Sequence, residues 1–285
     1  MAPLLSRRDI AAGIGALTIA PAIAAANPVA PIERRHGGRL GVFALDTGSG
    51  RSLAHRADER FVLCSSFKAL LAAQVLARAD AGQESLSRMI AYGEKDLMFV
   101  SPLTKAHAGE GALPVKTLCQ AIVEVSDNTA ATLLMRSVGG PAAITRFIRS
   151  LGDTVTRLDR YEPELNLYSG ELDTTTPRAI LVSARAILLG DALKPASRAL
   201  LEGWMIASTT GGKRLRAAFP TDWIAGDKTG TSAAQESNDF AIVRPPGRAP
   251  LLVSAYYDAP KLDLDAREAV LREVGAAFVQ WAGHA

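Results

Sequence analysis

The pattern of hydrophobic and polar positions divides the chain into three stretches. In the first, residues 39–45 form an apolar run that ends at the turn signal Thr47-Gly48-Ser49-Gly50. A short apolar run closed by Gly and Ser reads as a strand, and a second strand is expected after the turn.

The second stretch is helical. Residues 65–81 carry Phe67, Leu70, Leu71, Val75 and Leu76, which are apolar nearly all round a helical wheel. This predicts a buried central helix, with Gly82 as its stop. Pro114 opens a helix running to residue 125. Asn128 is expected to cap the next one, which ends at Gly139-Gly140. Pro141 begins another that ends near Gly152. Residues 153–173 lack a clear period and read as a loop. Helices are then expected over 177–189 and 195–207.

The third stretch returns to strands, at 223–227, 239–244 and 251–257, with a Pro-Pro-Gly turn at 245–247. An amphipathic helix over 265–282 closes the chain. Strands at both ends with helices between predict an α/β plus all-α fold. An antiparallel sheet flanked by helices is built from both termini, and an all-helical lobe is inserted. The α/β lobe is expected from 27–60 and 208–285, and the helical lobe from 61–207. A cleft between such lobes is a natural ligand site.

Composition adds limits. With 48% hydrophobic and 21% charged residues the chain is an ordinary globular sequence. The net charge of +3 is small and scattered, which excludes a nucleic-acid surface. His36, His55, His107 and His284 form no H-x-H or H-E-x-x-H pattern, and Cys64 and Cys119 form no C-x-x-C. No metal and no cofactor are therefore expected. The two cysteines are compatible with a bridge or with two buried thiols.

Residues 1–26 stand apart from the fold. Arg7-Arg8 precedes a modest apolar stretch that contains Pro21 and ends in small residues. The pattern is similar to a Tat export signal, which implies a periplasmic protein free of the membrane after cleavage.

Three short motifs carry chemistry. Ser65-Ser66-Phe67-Lys68 is an S-x-x-K at the start of the central helix. Its spacing puts Ser65 and Lys68 on one face. Serine needs a base beside it, and a buried lysine with a depressed pKa can serve. Ser126-Asp127-Asn128 lies between two helices, where Ser126 can pass a proton and Asn128 can bond an amide. Lys228-Thr229-Gly230 sits at the end of a strand, where a lysine attracts a carboxylate and a glycine permits close approach. Each alone has a structural explanation as a helix start, a cap or a strand end. In this order they match the signature shared by class A β-lactamases and penicillin-binding proteins.

A fourth segment, Arg160-Tyr161-Glu162-Pro163-Glu164-Leu165-Asn166, resembles the E-x-x-L-N motif of the class A Ω loop, here about residues 160–175. Penicillin-binding proteins generally lack that glutamate. The resemblance to class A β-lactamases covers residues 28–285, including RLGVFALDTGSG, SPLTKAH and AGDKTGT. It implies a β-lactam-hydrolysing enzyme that confers β-lactam resistance and acts as a monomer. By the same resemblance Ser65 is the nucleophile and Lys68 assists proton transfer. The N–H groups of Ser65 and Thr231 form the oxyanion hole, and Ser126 protonates the leaving nitrogen. Glu162 and Asn166 hold the deacylating water. Asn128, Lys228, Thr229, Gly230, Thr231 and Arg214 bind substrate, and Arg160 with Asp173 closes the Ω loop. Lys68 and Glu162 both stand as candidates for the acylation base.

The sequence also departs from the family pattern. The Ω loop between Asn166 and Asp173 is about two residues shorter than usual, and Val100 with Phe99 stands where many members place an aromatic gatekeeper. Ser232 and Ala72 occupy the positions that would complete the family's two disulfides with Cys64 and Cys119, so both cysteines are expected to be free. The alternatives are a D-alanyl-D-alanine peptidase, against which Glu162 argues, and a penicillin-binding sensor, which needs an anchor or output domain that the sequence does not show.

Overall fold

The computed structural model describes residues 27–283, so the export signal read at 1–26 lies outside the described residues. A short helix α1 (Ala30–His36) precedes strands β1 (Arg39–Asp46), β2 (Ser52–His55) and β3 (Phe61–Val62). The central helix α2 (Phe67–Asp80) follows a 3₁₀ turn at Cys64–Ser66. Next come β4 (Met89–Ala91), α3 (Pro102–Ala106), β5 (Ala112–Pro114), α4 (Val115–Glu124), α5 (Asn128–Ser137) and α6 (Pro141–Ser150). The two-residue strand β6 (Thr174–Thr175) leads to α7 (Pro177–Leu188) and α8 (Pro195–Ile206). The chain ends with β7 (Ile224–Thr231), β8 (Glu236–Arg244), β9 (Leu251–Asp258) and α9 (Leu264–Gly283).

Five strands form one antiparallel sheet in the order β2-β1-β9-β8-β7, with Val42 opposite Ala255 and Lys228 opposite Phe240. Successive strand residues face opposite sides, yet both sides of this sheet are apolar. On β9, Val253, Ala255 and Tyr257 join the core beneath α9, while Leu252 and Tyr256 join the core around α2. That two-sided burial explains why these strands read as continuous apolar runs. Gly41 is needed where the helical layer presses closest, because a Cβ there would stand 2.4 Å from the Phe61 ring and 2.8 Å from Pro177. No helix among the described residues is long and apolar enough to cross a membrane.

Helix α2 is buried on every side from Phe67 to Leu76, as its lack of a polar face requires. It ends before Gly82, which has φ +71°. Cys64 and Cys119 are free and buried in the hydrophobic core, and burial raises both thiol pKa values, which leaves the sulfurs unreactive in the folded state.

Three expectations need correction. Ser65 lies in the 3₁₀ turn, and the α-helix proper starts at Phe67. The cap of α5 is Asp127, whose carboxylate accepts from Ala130 N at 2.9 Å, and Asn128 is the first helical residue. Strand β7 runs through Lys228-Thr229-Gly230 to Thr231, and β8 begins at Glu236. The last start was hidden because Glu236, Ser237 and Asn238 are polar yet buried. Helix α1 was not anticipated, although Pro31 in its first turn and Gly37 at its end are local signals for it.

Candidate active site

The 3₁₀ turn separates two adjacent serines by direction. Ser66 Oγ donates to Leu63 O at 2.7 Å, lies 3.0 Å from Tyr256 Oη, and is buried in the core. Ser65 instead lines a cavity of about 690 Å³ together with Ser126, Asn128, Asn166, Thr229 and Thr231. Cys64, just before it, has φ +44°, a conformation that costs energy for a non-glycine residue and persists only where packing enforces it.

Packing enforces it through Gly230. A Cβ on Gly230 would meet Asn238 Oδ1 at 2.3 Å and both Cys64 Cβ and Leu63 O at 2.9 Å. Asn238 Nδ2 also donates to Leu63 O at 3.0 Å and Val62 O at 3.2 Å. The edge strand β7 is thereby pressed against the turn, which places Thr231 beside Ser65 on the cavity wall. An edge strand leaves alternate N–H groups unpaired, as an oxyanion hole formed by Ser65 and Thr231 requires.

Lys68, the second residue of α2 and one turn past Ser65, is fully buried. Its Nζ donates to Ser126 O at 2.8 Å and to Asn128 Oδ1 at 2.5 Å, and lies 3.4 Å from Ser126 Oγ and 3.5 Å from Glu162 Oε1. Burial pulls the ammonium below the usual lysine range, opposed by the charges of Glu162 and Asp127. Lys228 Nζ reaches the same Ser126 Oγ, at 3.2 Å, and donates to Thr229 O at 2.9 Å. Burial, then the charge of Lys68, holds Lys228 well below its usual range. Two lysine Nζ groups thus meet at one hydroxyl. Ser126 Oγ is fixed as an acceptor and keeps its own proton for donation.

Ser126 has φ +58° in the junction between α4 and α5. Asp127 holds that junction by accepting from Thr104 N at 2.9 Å and Leu103 N at 3.1 Å. Asn128 is held from the other side: its N and Nδ2 donate to Val100 O and Phe99 O, each at 3.0 Å. Val100 itself has φ +52°, unusual for a β-branched residue, and with Phe99 it forms an exposed apolar rim.

The Ω loop is closed at its neck. Arg160 Nε donates to Asp173 Oδ2 at 2.5 Å, and Asp173 Oδ1 accepts from Asp159 N and Arg160 N at 2.7 and 3.0 Å. The shorter loop therefore keeps its ion pair, and buried Leu165 pins it to the core. Asn166 Nδ2 donates to Glu162 Oε2 at 2.5 Å, while Glu162 Oε1 and Asn166 Oδ1 are buried without hydrogen-bond partners. Those two acceptors are what an attacking water needs. Asn166 lines the substrate cavity; Glu162 is covered from that side and borders a smaller neighbouring cavity.

Arg214 and Lys228 were expected to bind a substrate carboxylate directly. Lys228 is fully buried and absent from the cavity wall. Arg214 lines the wall, but four of its five N–H donors are committed: to Glu268 Oε1 at 3.2 Å, to Gly230 O and Asn238 O at 2.8 Å, and to Thr231 Oγ1 at 2.6 Å. It orients Thr231 as much as it offers charge. Arg214→Ala is expected to raise KM by about tenfold. It should also cost about 3 kcal/mol of stability, because Glu268 is left buried and unpaired. Urea unfolding and steady-state kinetics check both; unchanged KM and kcat would remove Arg214 from the site. Thr210, whose Oγ1 lies 2.7 Å from Thr229 Oγ1, was not anticipated and has no local signal in the sequence.

Comparisons agree with this geometry. The model of the "Beta-lactamase enzyme family" matches residues 24–282. A β-lactamase of Streptomyces albus G is 49% identical over 235 residues, covering 79% of this chain and 74% of its own. The carbapenem-hydrolyzing β-lactamase KPC of Klebsiella oxytoca is 46% identical over 249 residues, covering 86% and 85%. Among solved structures, a β-lactamase from Burkholderia vietnamiensis superposes with a TM-score of 0.90 at 64% identity, covering 90% of this chain and 96% of that one. An ancestral class A β-lactamase gives 0.86 at 55% identity, covering 89% and 98%.

Proposed function

The chain belongs to the β-lactamase enzyme family, as a class A member and a hydrolase, and from that premise we propose that it opens β-lactam rings through an ester on Ser65 and hydrolyses that ester with Glu162. The observation that carries this reading is the meeting of two sets of groups around Lys68. Ser126 and Asn128 approach it from one side and Glu162, held by Asn166, from the other.

Each step then has a residue. Ser65 Oγ attacks the lactam carbonyl as Lys68 or Glu162 takes its proton. The N–H groups of Ser65 and Thr231 receive the developing oxyanion. Ser126, held by two lysines, gives its proton to the leaving nitrogen and regains one through Lys68. Thr229 and Thr231 offer hydroxyls to the ring carboxylate, in the positive field of Lys228 and Arg214. Glu162 then draws a proton from the water that attacks the ester. Sustained turnover of a chromogenic cephalosporin supports this cycle, whereas a burst of one equivalent that stops would make the protein a peptidase or a sensor.

We also infer that the protein works as a monomer exported by its twin-arginine leader. Arg7→Lys with Arg8→Lys should then move activity from the periplasmic fraction to the cytoplasm. Equal periplasmic activity would rule out that route.

A further inference from the structure

Arg267, in the first turn of α9, is 4% exposed and forms part of the wall of the substrate cavity. Among the described residues its Nε and Nη1 are themselves buried and have no hydrogen-bond partner. Carboxylates of the same region have partners of their own. Glu268, its neighbour in sequence, is paired with Arg214 at 3.2 Å. Glu236 is hydrogen-bonded by Ser232. Asp263, on the same wall, accepts from Ala266 N at 2.9 Å.

A buried guanidinium cannot escape its charge by losing a proton. Left without a counter-ion it is destabilising, and it is the group on this wall best able to gain from an arriving anion. Arg214 is not equivalent, because four of its five N–H donors are already used. We propose that Arg267 forms an anion subsite in the cleft, distinct from the groups around Thr229 and Thr231, which accepts a second acidic group, a carboxylate or sulfonate, carried by a β-lactam. The subsite rests on the β-lactamase reading above and extends it: one acid anchors the ring, and a second, where the substrate has one, meets the planar fork of Arg267.

The test uses a matched pair of penicillins, one with a free carboxylate on its side chain and one with that carboxylate converted to the neutral amide. Arg267→Gln should raise KM for the diacid about tenfold, with kcat and both constants for the amide within about twofold. Arg267→Lys should recover part of the loss, since it keeps the charge and loses the fork. Equal effects on the two substrates, or none on either, would overturn the subsite. Should Arg267→Gln fail to fold, the wild-type enzyme decides: its KM for the diacid should rise more steeply with ionic strength than its KM for the amide, and identical salt dependence would overturn the proposal. A wild type that turns over neither penicillin would overturn the β-lactamase reading instead.

Discussion

Ser65→Ala is expected to lower β-lactam turnover by at least about 10⁴-fold while leaving the fold intact. In the proposed mechanism the hydroxyl is the attacking atom, and the neighbouring groups have no other serine to activate. Ser66 is adjacent but turned into the core, bonded to Leu63 O and facing Tyr256. Ser126 is near, yet the Nζ groups of two lysines hold its oxygen. The remaining site keeps its oxyanion donors and its cationic wall, so substrate should still bind. Stability should change by less than about 0.5 kcal/mol, because Ser65 lies on the cavity wall. Activity within tenfold of wild type would remove Ser65 from the reaction.

Glu162→Gln is expected to divide the two half-reactions. The variant keeps the shape of the side chain and loses the base. Deacylation should slow by about 10²–10⁴-fold, since attack of water on the ester needs a group to take its proton. Acylation should persist for a reason visible in the electrostatics. The negative charge of Glu162 raises the pKa of Lys68 against the opposing effect of burial. Without that charge burial acts with less opposition, and more of Lys68 is neutral at neutral pH. The acid limb of the acylation rate should therefore move to lower pH in the variant. Stopped-flow measurement with a chromogenic cephalosporin should show a burst of one equivalent, then slow turnover. Loss of the burst would make Glu162 the essential base of both steps, and wild-type turnover would remove it from the mechanism.

The sequence revealed most where a residue's role follows from local pattern. Helix α2 was legible because a helix with no polar face must be buried. The S-x-x-K, S-D-N and K-T-G motifs were legible through their order and the elements that carry them. What escaped was set by partners distant in the chain. Asp127 and Asn128 are both good caps, and the choice fell to Asp127, which also reaches the backbone of Leu103 and Thr104. The start of β8 was hidden because Asn238 satisfies its amide on Val62 and Leu63, far back in the sequence. Lys228 read as an attractor of a carboxylate at the end of a strand, and its contact with Ser126, about a hundred residues earlier, had no local signal. Nothing local distinguishes Arg267 from the other basic residues. Its importance lies in what its neighbours have already bonded.

The most direct test of the proposed mechanism is to map the adduct trapped in Glu162→Gln. The variant is mixed with a penicillin, quenched in acid, digested and analysed by mass spectrometry. The mechanism predicts one equivalent of adduct with the mass of the intact penicillin, on the peptide containing Ser65 and localised to that residue. An adduct on Ser66 or Ser126, or no covalent adduct while the penicillin is consumed, would contradict it.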